Sequence, residues 1–152
     1  MANTQKTVIV TGGSQGIGAG VVKAFLERGY NVVANSLKIT KSGAFEPSAT
    51  LALIDGNIAQ SITAAKIADV AMSQFGSIDV LVNNAGIYIA KPFAEYTIDD
   101  LRSLVSVNIE GFFFISQLAI KQMLAQKTGG SIINVTSTLV DHPIADINSR
   151  LQ

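Results

Sequence analysis

At 152 residues, 48% of them hydrophobic and 14% charged, the chain is long enough for one domain with a sizeable core and implies a surface that is partly covered. Lys and Arg balance Asp and Glu at 11 each, with no basic block, which excludes an electrostatic nucleic-acid surface. Zero cysteines exclude disulfides and thiolate metal sites, and the single His142 cannot build a histidine cluster.

The longest nonpolar stretches are strand-sized or broken by Gln, Lys or Glu, so no membrane span is expected. Residues 1–5 are polar and lack a signal-peptide pattern, which sets the cytoplasm as the expected location.

In chain order, Thr7-Val8-Ile9-Val10 is the first β-rich run, followed by a glycine-rich turn. From residue 17 to 28, Ile17, Val21 and Phe25 recur every fourth position, as on one face of a helix, and Gly29 suits its left-handed cap. A second run covers residues 31–35. Residues 38–48 hold Gly43 and Pro47 and read as a loop with at most a short helix. The third run covers residues 51–54. Ile67, Ala71 and Phe75 then mark a helix face ending at Gly76.

The fourth run, residues 78–82, leads into Asn83-Asn84-Ala85-Gly86. A long helix starts near Ile98-Asp99-Asp100, with acids in its first turn as the macrodipole favours, and runs to about Gln126. Gly129-Gly130 and the fifth run, residues 131–135, follow. The runs are continuously apolar, which suits parallel strands covered on both faces. Alternating strands and helices predict an α/β fold: a single Rossmann-like, doubly wound parallel sheet over residues 1–152.

The stretch TGGSQGIG lies between the first strand and the first helix. A phosphate nearing a helix N-terminus needs exposed N–H groups and no side chain in the way. Gly12 permits the turn, Gly16 admits the pyrophosphate, and Gly18 lets the helix pack on the strand. No Lys-Ser/Thr pair follows as in a P-loop, which disfavours nucleoside triphosphate hydrolysis. A flexible turn is the bland alternative.

Together, TGGSQGIG, NNAG after the fourth strand, and GGSIINVTS resemble the short-chain dehydrogenase/reductase family, in the family's order and over residues 7–137. The resemblance implies an NAD(P)-dependent oxidoreductase that moves a hydride between nicotinamide and a small carbonyl or alcohol substrate. It assigns Gly12, Ser14, Gln15, Gly16, Ile17 and Gly18 to the pyrophosphate and adjacent ribose. The corner after the second strand, which reads the ribose 2′ position, is Asn35-Ser36-Leu37-Lys38; it carries no acid and one base, which favours NADP over NAD. Lys38 also reads as an ordinary solvated lysine. Against the adenine the resemblance sets Asn57 and Ile58, with Asp55 as a substitute, and across the cofactor's middle Asn84, Ala85 and Gly86, leaving Asn83 more structural.

For the chemistry, the resemblance implies Ser137 at the end of the fifth strand and Asn108 holding a water in a proton relay. Asn108 falls on the stripe Leu101, Leu104, Asn108, Phe112, Ile115 and Ala119, so its amide is expected on the core side, where it needs a partner. A structural Asn bridging to the sheet is the alternative. The family's Tyr-x-x-x-Lys is expected about a dozen residues past the serine. Residues 138–152 contain neither Tyr nor Lys, only His142 in a His-Pro turn and Arg150, a poor acid. Relative to the family the chain stops after the fifth strand, leaving that strand's edge exposed. A binding module without turnover is the second functional reading. The face of Phe113, Phe114 and Leu118 predicts a homo-oligomer.

Overall fold

The computed structural model describes residues 5–137. Within them β1 (Thr7–Thr11), β2 (Asn31–Ser36), β3 (Leu51–Asp55), β4 (Val80–Asn83) and β5 (Ser131–Asn134) form one sheet. All neighbours are parallel, in the order β3-β2-β1-β4-β5. Parallel strands cannot be joined by a tight turn, so the chain crosses over through helices. Helix α1 (Gly16–Glu27) links β1 to β2, and α2 (Ser61–Val70) precedes β4. Helices α3 (Ile98–Val105) and α4 (Phe112–Ala125) precede β5. This is the expected doubly wound arrangement, and its order reverses between β1 and β4.

Side chains alternate across the sheet, so each strand supplies two cores. Val8, Val10, Val32, Ala34, Leu51, Val80 and Val82 pack on the α1 side around Val22 and Ile39. Ile9, Val33, Ala52, Ile54 and Leu81 pack on the other side against Ala64 and Ile67 of α2 and Ile115, Ala119 and Met123 of α4. Burial on both faces explains the unbroken apolar runs. On β5, Ser131, Ile133 and Asn134 are exposed, and only Ile132 reaches the α2–α4 core.

Three local expectations change. β4 starts at Val80 rather than at residue 78, because the Ile78 backbone is taken by a side chain. Its N–H donates to Gln126 Oε1 (3.3 Å) and its carbonyl accepts from Gln126 Nε2 (2.9 Å). In helix α1, Val21 and Phe25 of the expected face pack on the α1-side core beside the buried Gly18 and Val22, but Ile17 is 66% exposed. The long helix is interrupted by a π-helical turn at Ser106–Gly111, between α3 and α4, and a second π-helical turn, Ala71–Phe75, extends α2.

The continuous helical run Ile98–Ala125 has 28 residues and an apolar window of mean hydropathy 1.5, enough by length and composition to cross a bilayer. That differs from the expectation of no such span, because Asn108, Glu110 and Gln117 interrupt the run without making the window polar. In the fold its C-terminal half is a core helix, with Ile115, Ala119 and Met123 buried and Ser116 bonded to Asn83. Its N-terminal half is not: Leu101, Asn108 and Phe112 of the expected buried stripe are exposed.

Candidate functional site

The site starts where the sheet order reverses, beyond the carboxyl ends of β1 and β4, the place where an open α/β sheet leaves a crevice. Gly12 has φ +67°, and a Cβ there would meet Asn84 Nδ2 at 2.8 Å and Ala85 Cα at 2.9 Å. The turn and the NNAG segment therefore touch backbone to backbone. A Cβ on Gly18 would sit 2.1 Å from the Gly12 carbonyl oxygen, so the start of α1 also needs glycine to close on the turn. Gly16 differs: its φ is +53° and a Cβ would meet nothing within 4 Å, which leaves its backbone open to a ligand.

Asn84 stitches these pieces together. Its Nδ2 donates to the carbonyls of Thr11 (3.0 Å) and Gly12 (3.1 Å), and its backbone N–H donates to Thr11 Oγ1 (3.1 Å). The Ala85 N–H donates to the same Oγ1 (3.0 Å). Asn83 points the other way, into the protein, where its Nδ2 donates to Ser116 Oγ and Asn134 Oδ1, both at 3.0 Å. On the other side of the turn the Gly13 N–H donates to the Asn35 carbonyl (2.9 Å). Helix α1 begins after Gln15 with no side-chain cap and no acid in its first turn. Its first N–H groups and the positive end of its dipole are thus available to an anion.

These elements enclose a cleft of about 590 Å³, within the range of small-molecule sites. Gly12, Ser14, Gln15, Gly16, Ile17 and Gly18 line one wall, Asn84, Ala85 and Gly86 a second. Asn35, Ser36 and Lys38 line the corner, and Asn57 and Ile58 the far end. Every residue expected on the cofactor from the sequence thus lines this one cleft. Leu37 of the named corner lines it as well, and the sequence reading missed Gly56, Ile87 and Val107, of which the first two lie next to residues it named. Val107 carries no signal of its own, being one turn position before Asn108. Thr11, too, was assigned no task, although its hydroxyl joins both walls.

Two corner residues act differently from the expectation. Asn35 is buried and donates through Nδ2 to the carbonyls of Ile54 (2.9 Å) and Gly56 (3.1 Å), so its amide fixes the β3 exit. Asp55 does not turn towards the cleft as a substitute for Asn57. Both its oxygens are engaged by Thr40, and those hydrogen bonds hold its carboxyl below the usual range. Asn57 Oδ1 accepts from the Ala59 N–H (3.0 Å), so the acceptor expected to face the adenine is shared with its own loop.

Asn108 lies in the π-helical turn, and its amide closes on the backbone of one residue, Ile87, at the NNAG exit. Oδ1 accepts from the Ile87 N–H (2.8 Å) and Nδ2 donates to the Ile87 carbonyl (3.0 Å). It is exposed rather than core-facing, as are Ile109 and Glu110 beside it, and no residue of α3 is buried. Its side chain bridges to the loop, as in the structural alternative, and the Oδ1 atom stands 3.2 Å from where a Gly86 Cβ would be. Ser137 lies three residues past β5, is exposed, and does not line the cleft. His142 and Arg150, and the region expected to carry a tyrosine and lysine, lie outside the described residues.

The loop leaving NNAG is held at its far end. The Tyr96 hydroxyl donates to the Ile89 carbonyl, and Lys91 pairs with Asp100 at the start of α3. The ammonium of Lys91 and two donors of Thr97 pull the Asp100 carboxyl from 3.8 down to about 2. Thr97 and Asp100 form a reciprocal capping box. Tyr88 and Phe93 of this loop are exposed. Among the described residues no group of three or more His, Cys, Asp or Glu is placed to hold a metal.

Comparison with known proteins bears on the family and the fold. The family model described as short chain dehydrogenase matches residues 6–148. The 3beta-hydroxysteroid dehydrogenase 1 of Eggerthella lenta is 35% identical over 138 residues, covering 87% of this chain and 53% of that protein. The NADP-dependent (R)-specific alcohol dehydrogenase of Lentilactobacillus kefiri is 33% identical over 136 residues, covering 87% and 54%. A solved structure of ElxO with NADPH bound superposes with a TM-score of 0.82 at 28% identity, covering 93% of this chain and 59% of that one. The chain spans about half the length of the curated relatives it matches.

Proposed function

The chain belongs to the short-chain dehydrogenase family, and from that premise we propose that it binds NADP(H) in the cleft between the glycine turn and NNAG and serves hydride transfer to or from a small carbonyl or alcohol. One observation carries this reading: residues from four separate segments, each expected on the cofactor, line a single cleft whose Gly16 backbone stands open at an uncapped helix start. A dinucleotide fits such a cradle, with its pyrophosphate at Gly16, Ile17 and Gly18. The bound nicotinamide would supply the hydride.

The chain's own residues then hold and orient. Lys38 offers a cation for a 2′-phosphate, and no carboxylate lines the corner to repel one. The NADPH-bound neighbour and the NADP-dependent relative support NADP over NAD. Asn84 and Asn108 fix the two ends of the NNAG segment, so its backbone is held still beside the reacting face. Ser137, at the carboxyl end of β5, would orient the substrate oxygen. Among the described residues the lining holds no Tyr, His, Asp or Glu, and what those residues provide is binding and orientation.

That same lining favours the second reading, a dinucleotide-binding chain without turnover. Loss of NADPH absorbance on addition of a panel of ketones and aldehydes to the purified 152-residue chain decides between them. Turnover supports the dehydrogenase over the module, NADPH binding supports the cofactor cleft in either reading, and the absence of both contradicts the cofactor reading. We also propose that the exposed apolar side of the long helix joins copies of the chain. Phe114 and Leu118, expected on this face, pack inward, while Ile109, Phe113, Ile120 and Leu124 are among the exposed apolar residues of that helix.

A further inference from the structure

The corner that carries Lys38 is held from outside the cleft. Asp55 ends β3 in register with Ser36 of β2. Its Oδ1 accepts from the Thr40 N–H (2.9 Å), and its Oδ2 accepts from the Thr40 hydroxyl (2.5 Å). Thr40 sits in the short 3₁₀ turn Ile39–Lys41, whose Ile39 is fully buried in the α1-side core. The Ser36 carbonyl accepts from the Gly56 N–H (3.0 Å). The chain from Ser36 to Thr40 is therefore fixed at three points, and Leu37 and Lys38 between them are exposed and line the cleft.

We propose that Asp55 and Thr40 are positioning residues for cofactor choice: their clasp holds Lys38 at the corner and turns the nearby carboxylate away from a bound 2′-phosphate. This rests on the cofactor reading above. An unengaged carboxylate beside Ser36 would repel a phosphate and accept from a ribose 2′-hydroxyl, the arrangement that selects NAD. With Thr40 on both its oxygens, Asp55 spends its acceptors on the protein's own backbone and hydroxyl. Thr40 also keeps this carboxyl ionised, so its charge is present and its direction matters. The loop's geometry and the charge's direction are one device, since the same two hydrogen bonds set both.

The test is an equilibrium titration of the 152-residue chain with NADPH and, separately, NADH, reading the ratio of the two Kd values. Thr40→Val keeps the β-branched shape and the backbone N–H but frees one carboxylate oxygen. It is expected to lower the preference for NADPH about three- to fivefold, the size of one exposed charge contact, while NADH binding stays near wild type. Thr40→Ser retains the wild-type ratio. Adding Asp55→Asn to Thr40→Val removes the freed charge and restores the ratio. An unchanged ratio in Thr40→Val, or equal weakening of both cofactors without rescue by Asp55→Asn, overturns the clasp alone. Wild-type chain that binds neither cofactor overturns the cofactor reading and the clasp with it.

Discussion

Asn84 and Thr11, 73 residues apart, meet through two hydrogen bonds: the Asn84 N–H donates to Thr11 Oγ1 at 3.1 Å, and Asn84 Nδ2 donates to the Thr11 carbonyl at 3.0 Å. The Ala85 N–H shares that hydroxyl at 3.0 Å. Thr11 is 2% exposed, and the two donors are partly buried, so the hydroxyl is their partner inside the fold. Thr11→Val should leave two N–H groups unpaired and cost about 1–3 kcal/mol each at most. Urea denaturation checks the stability loss, and a parallel NADPH titration should show weaker binding, since both cleft walls hang on that hydroxyl.

Two glycines of α1, Gly18 and Gly20, separate packing from propensity. Gly18→Ala puts a Cβ 2.1 Å from the Gly12 carbonyl and 2.5 Å from Asn84 Nδ2. Backbone must move, so a loss of about 1–3 kcal/mol is expected, with weaker cofactor binding. Gly20→Ala, on the exposed side of α1 with nothing within 4 Å of the new Cβ, should stabilise by about 0.5–1 kcal/mol. Thermal or urea melts of the two variants should therefore shift in opposite directions.

The contrast shows which parts of the site were legible in the sequence. Glycine spacing at Gly12, Gly16 and Gly18 reports a local backbone demand, so the turn and the cleft wall could be read directly. The apolar runs gave the strands for the same reason, because burial on both sheet faces leaves a local trace. What could not be read depends on distant partners. Asp55 finds Thr40 across the β2–β3 connection, and Asn108 finds Ile87 only after the π-helical turn re-aims it. On α1 only Ile17 departs from the expected face: Val21 and Phe25 pack on the core, and the buried first-turn position is Gly18, whose packing role the glycine spacing had marked.

Asp100 gives a pH signature. Lys91 and Thr97 lower its folded pKa from 3.8 to about 2, so the folded state binds its proton less readily than the unfolded state. The stabilisation is complete above 3.8 and disappears as pH falls through about 2. Asp100→Asn should be less stable than wild type at neutral pH, and the gap should narrow across that window. Denaturation series from neutral pH downward measure it.

The apolar surface of the long helix predicts association. Ile109 is 61% exposed, Phe113 54% and Leu124 74%. Exposed apolar groups clustered on one element are expected to seek cover. Sedimentation at micromolar concentration should give a species heavier than one chain, and Phe113→Glu should shift it towards the monomer. A wild-type monomer at that concentration contradicts the proposal.

The central claim is that this cleft takes a dinucleotide with a 2′-phosphate. Calorimetric titration of the 152-residue chain with NADPH and NADH tests it most directly. Saturable one-to-one binding of NADPH, tighter than NADH and weakened by Gly18→Ala, is the predicted result. No saturable binding, or NADH bound markedly tighter than NADPH, would contradict it.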